Sequence, residues 1–539
     1  MKRFFTGSLI VVLVAGLFLI SPPGQRIIAS ANDLYQKLNV FSDMVSIIND
    51  NYVDEVNWDN TMVGAYNGLL EELDPHSVYI PKKRVDQINE QFEGEFQGIG
   101  IEFDIIEGYI TVISPIPGAP ADQVGMQAGD KIVAINGESS KGITQQGVFE
   151  KLRGPKGTNV DVTVMRPGRK DSLGFTITRD DIPIISVLAS AIVPGHPHTG
   201  YILLNRFARK TADEFEAALD TLEAQGMTQL VIDLRNNAGG YMDQAIQLVD
   251  KFVKGHQKIV YTKGRIPSAN EEFYSTDRAT HRRYPVVVLI NQGSASASEI
   301  VSGALQDLDR AYIVGEPSFG KGLVQRQWQM RDGSAIRVTI ARYYTPSGRL
   351  IQRPYENGTE EYYREVYERS HENADSLAVA DTTNRPVFHT KSGRVVYGGG
   401  GITPDVVVPR DENPTKTTMN LFADRVFFEY ASEYAVKHHE LKDQGFQNFA
   451  NGFQVDAAQI RALEKYIKQK DIEFDQDEFN QDLRYIKNLV KAEIASSLWG
   501  KDEMYAIRLE EDNQVQSALK YFPQARELAM ADYEAAGQN

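Results

Sequence analysis

The sequence predicts a multidomain α/β protein with a helical segment at each end. From about residue 183 onward, short β-branched runs such as 229–233 and 285–290 alternate with helical patterns, which is typical of a layered α/β domain. In 32–90 and 411–539, apolar residues recur at helical spacing instead. At 539 residues the chain is long enough for about three or four domains.

The composition is that of a globular protein and argues against several kinds of partner. Apolar residues make up 42% of the chain and charged residues 24%. The formal net charge of −16 argues against nucleic acid as a partner. The chain has no cysteine, so we expect no disulfide, no thiolate zinc site and no lipidated N-terminal cysteine. We expect no metal or other cofactor.

The N-terminus has the pattern of a secretory signal. Lys2 and Arg3 precede an apolar run at 9–20, so we expect 1–31 to be a signal peptide or an N-terminal membrane anchor. The sequence at 29–31, Ala-Ser-Ala, is similar to a cleavage site but lies far from the apolar run. An uncleaved anchor is the alternative, although the run is short for a full span. In both cases we expect the body to be exported, either free in the periplasm or anchored to the inner membrane and facing the periplasm.

The stretch 284–325 can bring a hydroxyl and an amine together at one edge of a sheet. A predicted strand at 285–290 leads through small residues at 293–298 into a helical pattern, and a second predicted strand ends in a loop with Lys321 between two glycines. A serine hydroxyl needs a base to become a good nucleophile. A lysine can be that base when burial or a cationic neighbour lowers its pKa from the usual value of about 10.4.

The residues alone leave four interpretations of this stretch open. The first is a phosphate-binding P-loop, whose first seven positions match residues 315–321. The eighth position should be Ser or Thr but is Gly322, and Pro317 has no amide proton to donate to a phosphate. The second is a Ser318-x-x-Lys321 nucleophile motif, which the flanking glycines disfavour because it needs a helix. The third is Ser296 paired with Lys321. The fourth is purely structural, with tight strand–helix packing and a surface lysine.

Two segments carry a specific family resemblance. Residues 294–300 read Ser-Ala-Ser-Ala-Ser-Glu-Ile, and residues 315–325 read Gly-Glu-Pro-Ser-Phe-Gly-Lys-Gly-Leu-Val-Gln. Both resemble the active-site region of the carboxyl-terminal processing peptidases, which are serine–lysine proteases also called tail-specific proteases. The resemblance implies that Ser296 is the nucleophile, Lys321 the general base and Gln325 the residue that orients the lysine. It also implies a layered, crotonase-like α/β peptidase core, expected at 183–410 with a charged, exposed insertion at about 355–395.

Residues 91–182 resemble a PDZ domain. The resemblance rests on Gln-Gly-Ile-Gly-Ile-Glu at 97–102, Gly-Ala-Pro-Ala at 118–121 and the glycine-containing segments at 128–137 and 152–157. Glycines allow consecutive backbone amides to point at a terminal carboxylate, and the ligand then adds as a strand to the sheet edge. The residues expected to bind a peptide C-terminus are Gly98, Ile99, Gly100 and Ile101, and the two isoleucines suggest a preference for apolar C-termini.

Further motifs of the family occur on both sides of the PDZ-like region. Leu-Asp-Pro-His-Ser at 73–77 is interpreted as a structural or subunit-contact element, with His76 outside the chemistry. Asp-Leu-Arg-Asn-Asn-Ala-Gly-Gly at 233–240 implies an oxyanion hole made by Gly239 or Gly240 with the amide of Ala297. The segments 344–349 and 400–405 match structural motifs of the core. No family motif is visible in the helical domain expected at 411–539.

The resulting expectation is an exported serine endopeptidase that recognises protein C-termini through a PDZ domain and cleaves through a Ser–Lys acyl-enzyme mechanism. Its expected partners are substrate tails, with possible membrane contact through the N-terminal segment and possible self-association. Two alternatives remain: a PDZ scaffold without catalysis and a degenerate P-loop ATPase.

Overall fold

In the computed structural model, residues 22–277, 281–369, 384–411, 414–470 and 472–536 are described, and they belong to two units. Residues 1–73 form the first unit, and residues 74–539 form the second. The predicted signal or anchor lies outside the described residues up to position 21. No helix within the described ranges combines the length and apolarity needed to cross a membrane.

From residue 22 onward, the first unit contains two helices, α1 (Pro22–Asn51) and α2 (Trp58–Glu71). Leu38, Phe41 and Met44, which recur at helical spacing, are 53%, 42% and 54% exposed. The helical pattern expected for 32–90 is therefore confirmed here, but its apolar face is uncovered.

The second unit begins with a strand inside the region predicted to be helical. β1 (Val78–Ile80) precedes helix α3 (Lys82–Glu93). The prediction of helix at 78–80 is wrong because Val-Tyr-Ile favours a strand and pairs antiparallel with residues 335–337.

The PDZ-like region is an antiparallel sheet with two helices. Its elements are β2 (Glu95–Gly98), β3 (Ile101–Ile106), β4 (Tyr109–Pro115), α4 (Pro120–Gln123), β5 (Lys131–Ile135), β6 (Glu138–Ser139), α5 (Gln145–Leu152), β7 (Asn159–Met165), β8 (Leu173–Thr178) and β9 (Asp180–Pro183). The sheet order is β3-β4-β5-β7-β8 with β6 beside β5, while β2 pairs with β9. Strand β3 is therefore an edge strand, which is where a peptide strand can be added.

The region 183–410 is a layered α/β core. Its elements are β10 (Val187–Ile192), β11 (Thr199–Leu204), α6 (Thr211–Ala224), β12 (Gln229–Asp233), α7 (Met242–Asp250), β13 (Lys258–Gly264), β14 (Glu272–Tyr274), β15 (Val286–Ile290), α8 (Ala297–Asp307), β16 (Tyr312–Gly315), β17 (Leu323–Gln329), β18 (Ala335–Tyr344), α9 (Thr359–Arg369), β19 (Val387–His389), β20 (Val395–Tyr397) and β21 (Val406–Val407). The main sheet has the order β10-β11-β12-β15-β16-β21 and is parallel from β11 onward. In a second sheet, β18 pairs with β1, β13 and β17.

The main sheet is covered on both faces. Residues of α6, α7 and α8 pack with Ile202, Ile232 and Val288 on one face. On the other face, Val287 and Leu289 pack with residues of the C-terminal segment 509–525. Strand β15 is consequently buried along its whole length, as expected for its continuous apolar run.

The insertion is only partly as expected. Helix α9 lies within it, and residues 370–383 are outside the described residues. Tyr362 is 2% exposed and packs edge-on against His76 and Phe319. The prediction of an exposed insertion is therefore wrong at Tyr362, whose ring packs behind the loop that carries Lys321.

The C-terminal region is helical, as predicted. It contains α10 (Lys416–Ala423), α11 (Val426–Lys437), α12 (Phe446–Gly452), α13 (Ala457–Gln469), α14 (Gln476–Gln481), α15 (Leu483–Leu498), α16 (Lys501–Arg508), α17 (Asn513–Ala518) and α18 (Phe522–Ala536). Helices α10 to α16 share one apolar cluster, whereas α17 and α18 pack on the main sheet.

Candidate active site

The parallel strands of the main sheet bring three loops to one edge. β12 ends at Asp233, β15 at Ile290 and β16 at Gly315. Because the carboxyl ends of parallel strands meet at the same edge, the loops that follow them converge. They contain the predicted oxyanion glycines, Ser296 and Lys321 respectively.

Ser296 has a backbone conformation that is rare for a residue with a side chain. Its φ is 54° and its ψ is −112°, directly before the first residue of α8. Such a conformation costs about 1–3 kcal/mol and persists only when neighbouring contacts enforce it. The neighbours are fixed here: Ala295 N and Ser298 Oγ both donate to the carbonyl of Asn237, at 3.0 and 2.8 Å. The fold therefore presents the half-buried Ser296 on a sharp strand-to-helix turn.

The buried carboxylate of Glu299 links the serine loop to the lysine loop. Its Oε2 accepts hydrogen bonds from Ser296 N and Lys321 N, both at 2.9 Å. Its Oε1 accepts from Gly320 N at 2.7 Å and from Ser318 Oγ at 2.5 Å. Burial raises the pKa of the Glu299 carboxyl, although these donors oppose the rise. Since one oxygen binds both backbone nitrogens, the backbones of Ser296 and Lys321 are held close together.

The environment of Lys321 shifts its amine towards the neutral form. Burial of the amine and the nearby charge of Arg337 lower the pKa of Lys321 to about 8. Lys321 Nζ donates to Gln325 Oε1 at 3.0 Å, and Gln325 Nε2 donates to the carbonyl of His76 at 2.6 Å. The structure thus brings together Lys321 and the residue predicted to orient it. Within the described residues, no hydrogen bond joins Ser296 Oγ to Lys321 Nζ.

The segment around His76 supports this arrangement from behind. Burial, followed by the charge of Lys321, lowers the pKa of His76 to about 4, and its Nε2 lies 3.1 Å from Tyr362 Oη. The carboxylate of Asp74 accepts from the amides of His76 and Ser77 at 2.8 and 3.0 Å. This turn fixes the carbonyl that holds Gln325, which agrees with a structural role for the motif at 73–77.

The predicted oxyanion residues lie beside Ser296. A Cβ added at Gly239 would be 2.8 Å from Ala297 N and 2.9 Å from Ser296 Cβ. The Gly239 amide donates to Asn237 Oδ1 at 2.9 Å, so it is engaged in this structure. Gly240 approaches Phe207, where an added Cβ would lie 2.1 Å from the carbonyl oxygen. Ala297 is the first residue of α8, whose first amides have no acceptor within the helix.

The geometry counts against two of the alternative interpretations. Ser318 is completely buried, donates to Glu299, and accepts from Ile402 N at 2.6 Å, so its hydroxyl is not presented to a substrate. The amides of a P-loop must face a phosphate. Here the amides of residues 318 to 322 all donate to protein acceptors.

The four residues predicted to bind a peptide terminus border one groove. Gly98, Ile99, Gly100 and Ile101 line it on one side, and Val148, Phe149 and Leu152 of α5 line it on the other. Arg153 lies at its end with the guanidinium over Phe96 and Phe149 and paired with Glu90 at 2.6 Å. The groove is apolar along β3, which suits an apolar side chain of an added strand.

Several side chains of the candidate site were missed from the sequence. Glu299 was read only as part of a motif, although an acidic residue three positions after a helix-capping serine is a recognisable capping signal. Arg337 and Tyr362 had no local signal, because they meet Lys321 and His76 only through sheet pairing and the packing of α9.

Comparison with known proteins identifies the family. A model described as Peptidase family S41 matches residues 198–363, and a PDZ domain model matches residues 111–166. A family of unknown function, DUF8443, matches residues 417–500, where the sequence shows no motif.

Curated relatives agree with these matches. Carboxy-terminal processing protease CtpB of Bacillus subtilis is 39% identical over 310 residues, which cover 57% of this chain and 64% of that protein. The carboxy-terminal-processing protease of Bartonella bacilliformis is 38% identical over 352 residues, which cover 64% of this chain and 80% of that protein. The solved structure of a photosystem II D1 C-terminal processing protease is 26% identical, with a TM-score of 0.34 over 70% of this chain and 88% of that one.

The identity to the Bartonella protein extends over most of that protein's length, and both the peptidase and the PDZ models match. The resemblance found in the sequence is therefore confirmed. The chain belongs to peptidase family S41, among the carboxy-terminal processing serine proteases that carry a PDZ domain.

Proposed function

We propose that this chain is an exported serine endopeptidase that binds protein C-termini through its PDZ domain and cleaves with Ser296 and Lys321. One observation carries the catalytic part: the Glu299 carboxylate binds the backbone of both residues, at 2.9 Å each. This contact supports a nucleophile and a base whose backbones are held side by side, with no histidine needed between them.

In the proposed acylation step, neutral Lys321 Nζ takes the proton of Ser296 Oγ as the oxygen attacks the scissile carbonyl carbon. This requires Nζ to come within hydrogen-bond distance of Oγ when substrate is bound, as is common for catalytic contacts that are long without substrate. The developing oxyanion is stabilised by the Ala297 amide together with that of Gly239 or Gly240. Lys321 then returns the proton to the leaving nitrogen as the C–N bond breaks.

In the proposed deacylation step, a water molecule attacks the ester carbon while Lys321 takes one of its protons. The bond to Ser296 Oγ breaks, and the proton passes from Lys321 to that oxygen. The enzyme is regenerated, and the product leaves as a carboxylic acid that gives up its remaining proton to the solvent. Lys321 alone carries the proton between the water and Ser296 Oγ in this step.

The proposed substrates are proteins with apolar C-terminal residues. The groove between β3 and α5 is lined by Ile99, Ile101 and Leu152, and Arg153 adds a cation at its end. An extended tail can pair with the free edge of β3, while its terminal carboxylate meets backbone amides near Gly100.

Cleavage of a loosely folded protein with an apolar tail tests the catalytic proposal. Loss of cleavage in Ser296→Ala, with cleavage retained in Ser318→Ala, supports the assignment. If only Ser318→Ala is inactive, the nucleophile is wrongly assigned. If the parent chain neither cleaves nor reacts with serine-directed acylating reagents, a PDZ scaffold describes it better.

The export proposal rests on the N-terminal pattern of Lys2, Arg3 and the apolar run at 9–20. Protease digestion of spheroplasts tests it, because an exported body is degraded while the cytoplasm stays protected. Protection of the full chain in intact spheroplasts contradicts export. N-terminal sequencing of the recovered protein distinguishes a cleaved signal from a retained anchor.

We further propose that the chain self-associates through α1. Leu38, Phe41 and Met44 present an exposed apolar stripe at helical spacing, and such stripes mark contact surfaces. Light scattering of the full chain tests this. The double variant Leu38→Ser/Phe41→Ser should have a lower molar mass in solution than the parent chain, because the assembly dissociates. Asn39→Ser on the same helix is the control. An unchanged mass in the double variant contradicts the proposal.

A further inference from the structure

Three acidic side chains of the PDZ domain meet three basic side chains of the C-terminal helical domain. The partners are Glu102 with Lys501, Asp104 with Arg425 at 2.7 Å, and Glu107 with Lys470 at 2.7 Å. The PDZ domain supplies every acid and the helical domain every base. We call this set of pairs the PDZ seat.

The PDZ seat lies on the back of the strand that forms the ligand groove. Successive side chains of a strand point to opposite faces. On β3, Ile101 and Phe103 line the groove, whereas Glu102 and Asp104 alternate with them and face the helical domain. Glu107 follows in the turn after β3. The helical domain therefore contacts the edge strand on the side opposite the bound tail.

The bases come from three separate places in the helical domain. Arg425 precedes α11, Lys470 follows α13, and Lys501 begins α16. Lys470 is also 3.1 Å from Glu429, and Glu107 also binds Lys131 at 2.7 Å, so this pair belongs to a network of four charges. Three helices brought together by one apolar core thus present their cations to a single strand and turn.

The contact includes three ion pairs, and no buried apolar cluster in the described part of the chain spans both domains. Among the described residues, the buried apolar cluster of the PDZ domain and that of the helical domain have no member in common. Half-exposed ion pairs are individually weak and are screened by salt. A contact built from such pairs holds a domain in place but is readily released.

We propose that the C-terminal helical domain is a salt-sensitive docking site for the PDZ domain, which it holds through the PDZ seat behind β3. The seat fixes the orientation of the ligand groove. This assigns a role to a region of which residues 417–500 match a family of unknown function. The docking itself does not depend on catalysis. Its effect on how substrate C-termini reach the candidate active site rests on the proposed function.

A disulfide between the two domains reports docking directly. A Cβ added at Gly168 of the PDZ domain would lie 3.5 Å from Val436 Cγ1 of the helical domain, which is compatible with a disulfide. The chain has no cysteine, so Gly168→Cys/Val436→Cys creates the only thiol pair. Gly168 has a φ of 81°, a backbone conformation that is strained for a cysteine. Circular dichroism must therefore first show that the double-cysteine variant is folded.

The rate of cross-linking under mild oxidant is then measured between about 0.01 and 1 M NaCl, where the Debye length falls from about 30 to about 3 Å. We expect the rate to fall with salt. Asp104→Arg and Arg425→Asp should each slow it by roughly two- to fivefold, and the double exchange should restore it. Glu138→Lys is the control, because Glu138 pairs with Lys151 inside the PDZ domain.

The proposal is overturned if the cross-linking rate does not change with salt, or if Asp104→Arg and Arg425→Asp leave it unchanged. It is also overturned if the double exchange does not restore the rate. The cross-linking measurement can be repeated in a Ser296→Ala background, where we expect the same result because docking needs no catalysis. A failure of docking can therefore be told apart from a failure of the proposed peptidase activity. Where docking holds, the single reversals should also change the cleavage rate of tailed substrates more than that of tail-less ones.

Discussion

The carboxylate of Asp512 and the guanidinium of Arg235 are 277 residues apart in the sequence and joined by hydrogen bonds of 2.7 and 3.0 Å. The same guanidinium binds Asp233, whose carboxylate also accepts from Tyr201 Oη at 2.7 Å. Asp233 ends β12, and the loop after it contains the predicted oxyanion glycines. The C-terminal segment therefore stabilises the base of this loop through one arginine.

Breaking this ion pair should cost stability and activity together. Asp512→Asn leaves the largely buried Arg235 with one carboxylate fewer. Breaking a fully buried pair costs about 3–5 kcal/mol, and we expect about 2–3 kcal/mol here because Asp512 is partly exposed. Urea unfolding measures the loss of unfolding free energy, and the rate of acylation by a serine-directed reagent measures the reactivity of Ser296. Glu511→Gln is the control, since its partner Arg484 is 84% exposed. Equal stability of the two variants would contradict this account.

The rate of acylation should depend on the protonation of Lys321. Its pKa is lowered to about 8, and only the neutral amine can accept the serine proton. The rate should therefore rise with pH to a plateau above about 8 and fall about tenfold per pH unit below it. Arg337→Gln removes a neighbouring cation, so the pKa of Lys321 and the midpoint of the profile should move upward. A flat profile between about pH 5 and 8 would exclude lysine as the base.

Gln325 should act by positioning Lys321. Gln325→Leu removes the acceptor at 3.0 Å from Nζ, so the amine loses its orientation. We expect kcat to fall by up to about 100-fold with little change in KM, because displacement by about 1 Å can cost that much. Steady-state kinetics on a tailed substrate provide the measurement. Gln329→Leu, an exposed position on the same strand, is the control, and equal activity of both variants would refute the role.

The groove of the PDZ domain should depend on glycine at position 100. Its φ is 79°, and an added Cβ would lie 2.3 Å from Ala119 Cβ, so Gly100→Ala must distort the loop. Cleavage of a tailed substrate should fall, while a tail-less, loosely folded substrate should be cut as before. Gly118→Ala is the control, because it also has a positive φ but an open space around it. An equal loss on both substrates would indicate a different role for the loop.

The candidate site residues could be predicted from the sequence, but their surroundings could not. Ser296, Lys321 and Gln325 stand in a motif whose order along the chain directly reflects strand, turn and helix, and β15 follows from its continuous apolar run. Tyr362 was misread because a charged helix with one buried aromatic face has no distinctive composition. Arg337 was missed because it meets Lys321 across paired strands, which no local pattern encodes. Asp512 could not be found at all, since its partner lies in another region of the chain.

The packing of α17 and α18 on the main sheet has a consequence for biosynthesis. A chain made from its N-terminus contains Ser296 and Lys321 well before Val515 and Phe522, which cover the outer face of β15. Until those residues arrive, the strand that carries the nucleophile loop has one bare apolar face, and Arg235 lacks one of its two carboxylates. The packing of this sheet edge is therefore complete only after the C-terminal segment has been synthesised.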